Sequence, residues 1–303
     1  MRGIWLRKAT GGRSASWRML VVAMVLAGTA LPLGQPADAA PSTIGSYVAL
    51  GDSFAAGPMI PVTDVASAGC QRSSSNYPSL LASRYQVSSF VDATCSGAAI
   101  RHMYQPQTVQ GGVNPPQLDS LQPGTQLVTL QIGGNDIGYG ELATNCVAVL
   151  PLGTPCQDRY LAGGVDQIGE RVNATRSSVD GVLAEIRRRA PAAQVLLVNY
   201  QSLFPEGSQG CWPLMPYAPE DVPYLLAKQI QLNTVLRDSA AANGAVYVDT
   251  YTSSLGHDAC QLLTHRWAEP VVLPLGGAPI HPNAAGMSAV AEQVASSITA
   301  SVP

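Results

Sequence analysis

The sequence predicts an α/β domain built on a parallel sheet. Three observations carry this. Five short apolar runs recur along the chain, helical stretches separate them, and no repeat or linker divides the region they occupy. The runs are 47–50, 87–91, 127–132, 195–199 and 245–249, each rich in β-branched or large apolar residues. Strands that alternate with helices pair in parallel through right-handed crossovers. The helices follow in order. A short one covers 78–85. A long amphipathic one covers 166–189, with Ile168, Val172, Val179, Val182, Leu183 and Ile186 at helical spacing and Pro191 just past its end. A third covers 221–242 and stops at Asn243-Gly244. Pro282, placed at a first helical position, opens the last.

The first 39 residues read as an export signal rather than as part of the fold. Arg2, Arg7, Lys8, Arg13 and Arg18 form a basic start, residues 19–33 are apolar, and Ala37-Asp38-Ala39 supplies a small-residue cleavage site. The apolar run is 15 residues, short for a membrane span. No Arg-Arg pair precedes it, which favours the general export route. Cleavage after Ala39 leaves residues 40–303, a single domain of 264 residues. Removal of five basic residues and Asp38 takes the formal charge from −3 to −7. An acidic chain has no electrostatic case for nucleic acid, and no second apolar span follows. The expectation is a secreted monomer.

All six cysteines lie after Ala39. An even number in an exported chain reads as three disulfides. Of the possible pairings the sequential one, Cys70–Cys95, Cys146–Cys156 and Cys211–Cys260, closes the loops that follow successive strands. A zinc site has little support, since there is no C-x-x-C and the four histidines are scattered. No cofactor motif is present. Two long loops, 201–220 and 256–280, are rich in Pro and Gly. They carry Phe204, Trp212, Leu214, Met215 and Leu273, which would form either an apolar groove or a satellite core pinned by a disulfide.

The chemistry gathers where strands end. Gly51-Asp52-Ser53 follows the first apolar run, so Ser53 sits at the carboxyl edge of the sheet, where open α/β sheets bind ligands. A serine at a helix start is ordinarily a cap, but backbone N–H groups there also favour an oxyanion. Gly133-Gly134-Asn135-Asp136 follows the third run. Asn135 is a turn former, and its side-chain amide is also a potential oxyanion donor. Gly97, after the second run, offers a backbone N–H. His281 lies at the start of the last helix, whereas His102, His257 and His265 lie in loop or polar settings that suggest structural roles.

Taken together these blocks resemble the SGNH (GDSL-type) hydrolases. Gly51-Asp52-Ser53 with Gly57, then Gly97, then Gly133-Gly134-Asn135-Asp136, then His281-Pro282-Asn283 fall in the family's order over residues 46–300. The six cysteines, Gly256-His257-Asp258-Ala259-Cys260 and 281–286 are similar to the secreted actinobacterial esterase and lipase branch. The resemblance implies a flavodoxin-like three-layer sandwich with a five-stranded parallel sheet. It also implies Ser53 as nucleophile, His281 as base, and Ser53, Gly97 and Asn135 as oxyanion donors.

One position departs from the pattern. Many members carry Asp three residues before the histidine, and here that residue is Ala278. The expectation is therefore a Ser53–His281 dyad, with the Ala278 carbonyl accepting from His281 Nδ1–H. The rival arrangement brings Asp249 or Asp258 to the imidazole. The leading functional expectation is a secreted carboxylic-ester hydrolase, a lipase or esterase acting on a lipid-like ester without a cofactor or metal. Alternatives are a carbohydrate acetyl esterase, a phospholipase, or a surface-binding protein with a decayed site. An α/β-hydrolase is disfavoured because the chain after Ala39 has no G-x-S-x-G.

Overall fold

The computed structural model describes residues 43–67, 69–207 and 209–298. The export signal expected over 1–39 lies outside them. Five parallel strands form the sheet: β1 Ser46–Gly51, β2 Ser89–Asp92, β3 Leu127–Gln131, β4 Gln194–Val198 and β5 Val246–Val248, in the spatial order β2-β1-β3-β4-β5. Six helices matter for the site: α1 Ser53–Ala56, α2 Tyr77–Arg84, α3 Gly134–Ile137, α4 Gln167–Arg189, α5 Val222–Asn243 and α6 Ala284–Ser297.

The three central strands are mostly apolar and buried because both faces of the sheet are covered there, whereas the edge strand β2, Ser89-Phe90-Val91-Asp92, is partly exposed. Val48, Leu50, Val128, Leu130, Val195 and Leu197 pack into one core with Val179 and Leu183 of α4 and Leu232 and Leu236 of α5. The alternate residues, Tyr47, Ala49, Leu127, Leu196 and Val198, pack into a second core with Leu81 of α2 and Met287, Val290 and Val294 of α6. The result is the expected three-layer sandwich. Both long helices start on acidic residues: Asp166 caps α4 by accepting from Gly169 N–H, and α5 follows Asp221 with Pro223 in its first turn and ends at Gly244 in the left-handed region. No helix among the described residues is long and apolar enough to cross a membrane.

Three local readings change. Pro282 is not in the last helix. Asn283 caps α6 by accepting from Gly286 N–H, while Pro282 pairs with Ala268 in an isolated bridge. The second strand begins at Ser89 rather than at 87, because its pairing with β1 starts at Ser46–Ser89 and Val87 N–H is still bonded to Ala82 O of α2. A small antiparallel pair, Gln107–Val109 with Gly112–Asn114, is new. Its three-residue strands are too short to show a period of two. The disulfides pair as expected, Cys70–Cys95, Cys146–Cys156 and Cys211–Cys260.

Candidate active site

The strand order reverses between β1 and β3, since the chain leaves β1 for β2 on one side and returns to β3 on the other. The crevice outside the strand ends at such a switch point is where this sheet type takes its ligands. Gly51 ends β1 opposite Gln131, which ends β3. A Cβ at Gly51 would stand 2.7 Å from the Gln131 carbonyl oxygen, so glycine is required for this approach. The chain then turns at Asp52, whose N–H donates to Gln131 O and whose side chain caps α1 by accepting from Phe54 N–H. Asp52, not Ser53, is thus the cap. This frees Ser53, the first residue of α1, to point its hydroxyl elsewhere.

That hydroxyl meets His281. Ser53 Oγ and His281 Nε2 are 2.7 Å apart. His281 Nδ1 is 2.7 Å from the Pro279 carbonyl. A carbonyl only accepts, so Nδ1 carries the proton and Nε2 turns its lone pair toward the serine. The acceptor is Pro279 and not the expected Ala278, whose carbonyl takes the backbone N–H of His281 at 3.2 Å. The difference comes from Ile280, which holds φ at +56°, the left-handed region that a β-branched residue rarely enters. That twist accompanies the turn that brings the Pro279 carbonyl to His281 Nδ1.

The strained residue is clamped. Ile280 N–H donates to Glu269 O at 2.8 Å and Glu269 N–H donates to His281 O at 2.9 Å. The Glu269 side chain is itself fully buried. It accepts from the Arg266 guanidinium, Asn283 Nδ2 and Leu275 N–H. Burial raises its carboxyl, but these donors outweigh burial and hold it below the usual carboxylate range. Burial also lowers His281, against the hydrogen bond to Pro279, which raises it; the imidazole stays below its ordinary value and neutral at pH 7. Asp249 and Asp258 do not reach the ring. Asp249 caps the turn at Tyr251 and Thr252, and Asp258 accepts from Cys260 N–H and Gln261.

Asn135 lies in α3, after a turn in which Gly133 holds φ at +121°. Its Nδ2 donates to Ala98 O at 2.9 Å. Both oxygens of the neighbouring Asp136 accept from Ile100 N–H. Two consecutive side chains therefore grip the loop that presents Gly97, and the Cys70–Cys95 disulfide ties the near end of that loop. Ser53, Gly97, Asn135 and His281 all line one open cleft with about 630 Å³ of empty space. The structure thus brings together the four side chains and backbone groups expected from sequence. His102 and His257 stand apart, the first accepting from Ala99 N–H and the second stacked on Trp267.

Beneath the cleft, Tyr200 OH donates to Asp52 Oδ2 at 2.5 Å and accepts from Gly134 N–H at 2.8 Å. Burial raises Asp52 and the hydrogen bonds from Tyr200 and Phe54 N–H oppose it, leaving its carboxyl at about 7. Beside the cleft lies a narrow apolar pocket lined by Leu142, Leu203, Phe204, Tyr217 and Leu225, which shares Tyr139 and Ile280 with the cleft. Of the five apolar loop residues singled out from sequence, Phe204 lines this pocket. Met215 is buried in the core, and Trp212 and Leu273 are exposed.

Comparison with known proteins agrees with the fold. Residues 49–289 match the GDSL-like Lipase/Acylhydrolase family. Lipase 2 of Streptomyces coelicolor is 39% identical over 263 residues, covering 85% of this chain and 86% of that protein. The crystal structure of phospholipase A1 from Streptomyces albidoflavus superposes with a TM-score of 0.71 at 28% identity, covering 84% of this chain and 100% of that one. An extracellular lipase from Streptomyces rimosus superposes at 0.65, also with 28% identity and coverage of 84% and 100%. The chain belongs to the GDSL-like lipase/acylhydrolase family, the SGNH hydrolases. It is a carboxylic-ester hydrolase of that family.

Proposed function

We propose that this protein is an extracellular lipase or esterase that cleaves lipid-like carboxylic esters through an acyl-enzyme on Ser53. His281 Nε2 takes the Ser53 proton as Oγ bonds to the ester carbonyl carbon. The negative charge that moves onto the carbonyl oxygen is held by Ser53 N–H, Gly97 N–H and Asn135 Nδ2–H. The tetrahedral species then expels the alcohol, which takes the proton from His281. Water, deprotonated by His281, attacks the acyl carbon; the second tetrahedral species breaks its bond to Oγ and releases the carboxylic acid, and Ser53 Oγ takes the proton back from His281.

The observation that carries the reading is the 2.7 Å contact of Ser53 Oγ with a His281 whose other nitrogen is already committed to a carbonyl. The neighbouring apolar pocket supports a substrate with an acyl chain over the acetyl group of a sugar polymer, because buried apolar walls reward each methylene that enters. Three disulfides and the extracellular lipase of S. rimosus among its relatives support export. The test is a panel of p-nitrophenyl esters from two to sixteen carbons, beside triglyceride, phospholipid and acetylated xylan. Activity should peak on acyl chains longer than acetyl. A peak on acetylated xylan alone would overturn the lipid reading, and dominant phospholipid cleavage would move it to a phospholipase.

A further inference from the structure

Tyr200 belongs to none of the sequence blocks that mark the site, yet it joins two of them. It lies two residues past the end of β4, the strand next to β3, and no part of it is exposed. Its backbone is fixed from α5: Tyr200 N–H donates to Asn233 Oδ1 at 3.0 Å, and Asn233 Nδ2 donates to Tyr200 O at 2.9 Å. Its ring is fixed by edge contacts with Phe54, centroids 4.9 Å apart, and Tyr139, 5.5 Å apart. Phe54 in turn lies 5.0 Å from the His281 ring. With ring and backbone held, the phenol oxygen occupies a defined point. From there it donates to the residue before Ser53 and accepts from the residue before Asn135.

We propose that Tyr200 is a positioning residue for the reaction, its phenol acting as a strut that fixes the distance between the turn carrying Ser53 and the turn carrying Asn135. The physical case is one of geometry. The two turns leave adjacent strands and α1 and α3 are one turn each, too short to lock their own placement. Beyond the last sheet bond, Asp52 N–H to Gln131 O, the phenol supplies the next direct bridge between them. A displacement of about 1 Å between nucleophile and oxyanion donor is enough to cost about 10²-fold in rate. A phenylalanine at 200 keeps the packing and removes both hydrogen bonds, so the strut is lost with little change in shape.

This inference rests on the hydrolytic reading of Ser53, and its test separates the two. Tyr200→Phe, Asn135→Ala and the double variant are assayed on p-nitrophenyl butyrate, with active sites counted by a fluorophosphonate so that unfolded protein drops out. Tyr200→Phe should lower kcat about 10- to 100-fold per counted site with KM within about twofold. Asn135→Ala should cost about 10²–10³ in wild type and less than about tenfold in the Tyr200→Phe background, because a misplaced donor has little left to lose. A structural role alone would lower the melting temperature while the two losses multiplied. Independent losses, or an unchanged kcat in Tyr200→Phe, would overturn the strut. Should Tyr200→Phe not fold, the cycle is run in Asp52→Asn, which removes the stranded buried carboxylate. There Asn135→Ala must lose most of its cost when Tyr200→Phe is added, and an undiminished cost contradicts the proposal. Absence of any labelling of wild-type Ser53 would instead defeat the hydrolytic reading itself.

Discussion

The Pro279 carbonyl stands 2.7 Å from His281 Nδ1, two residues along the same chain. The imidazole is therefore aimed by its own loop and not by a carboxylate from elsewhere. A carboxylate that completed a triad would be worth about 10⁴ in kcat. Asp249→Asn and Asp258→Asn should instead keep kcat within about threefold per titrated site, a change far below that figure. Steady-state assays of the two purified variants check this, and a collapse in either restores a triad.

A neutral orienting group leaves burial as the larger influence on His281. The imidazole lies below its ordinary 6.5 because burial disfavours the charged form. In the proposed role of general base it must be neutral, so activity should rise with pH as the imidazole loses its proton, reaching half its plateau at the pKa. The acid limb of kcat/KM on a soluble ester should have its midpoint below 6.5. The same sign holds for stability. The unfolded histidine takes up its proton at a higher pH than the folded one, so stability falls as pH drops below 6.5 toward the folded value. A midpoint at or above 6.5 in the rate profile contradicts this description of the site.

Glu269 keeps the strained Ile280 in place, and its charge is matched inside the protein by Arg266. Removing one partner strands the other. Glu269→Gln should destabilise by about 3–5 kcal/mol, as for other broken buried pairs. Arg266→Met combined with Glu269→Leu should recover part of that loss, since no buried charge is left unpaired. Urea titration of the single and double variants at pH 7 gives both numbers. Because the Glu269 carboxyl is held low, its contribution is present above its unfolded value of 4.5 and is lost as pH falls through the folded one.

The apolar pocket beside the cleft predicts a chain-length effect. Ala143 is on its lining, and Phe at this position would fill the space. Ala143→Phe should lower kcat/KM for p-nitrophenyl decanoate at least about tenfold, within the range for methylenes lost from an apolar pocket. The acetate ester, too short to reach, should change less than about twofold. Equal losses on both esters would place the acyl chain elsewhere.

The architecture was legible because each central strand is apolar on both faces, and helices such as α4 repeat at 3.6 residues between acidic starts and Pro or Gly stops. Ser53, Gly97, Asn135 and His281 were legible for a related reason: each follows a strand end or precedes a helix, where backbone geometry leaves short motifs. What lay hidden depends on direction in space. Whether the carbonyl of Ala278 or of Pro279 faces the imidazole is decided by the φ of Ile280, and nothing in the composition of that loop announces a left-handed isoleucine. Tyr200 looks like any aromatic residue after an apolar strand until its hydroxyl is placed between Asp52 and Gly134. No sequence motif marks Glu269 and Arg266 in their long loop, and only the closed loop shows them buried.

The most direct test is the rate and position of labelling by a p-nitrophenyl phosphonate, read by intact-mass and peptide mass spectrometry. Wild-type protein should gain one phosphonyl group on Ser53, and His281→Ala should slow that gain by orders of magnitude while leaving the protein folded. A label on another residue, or an undiminished rate in His281→Ala, would contradict the account.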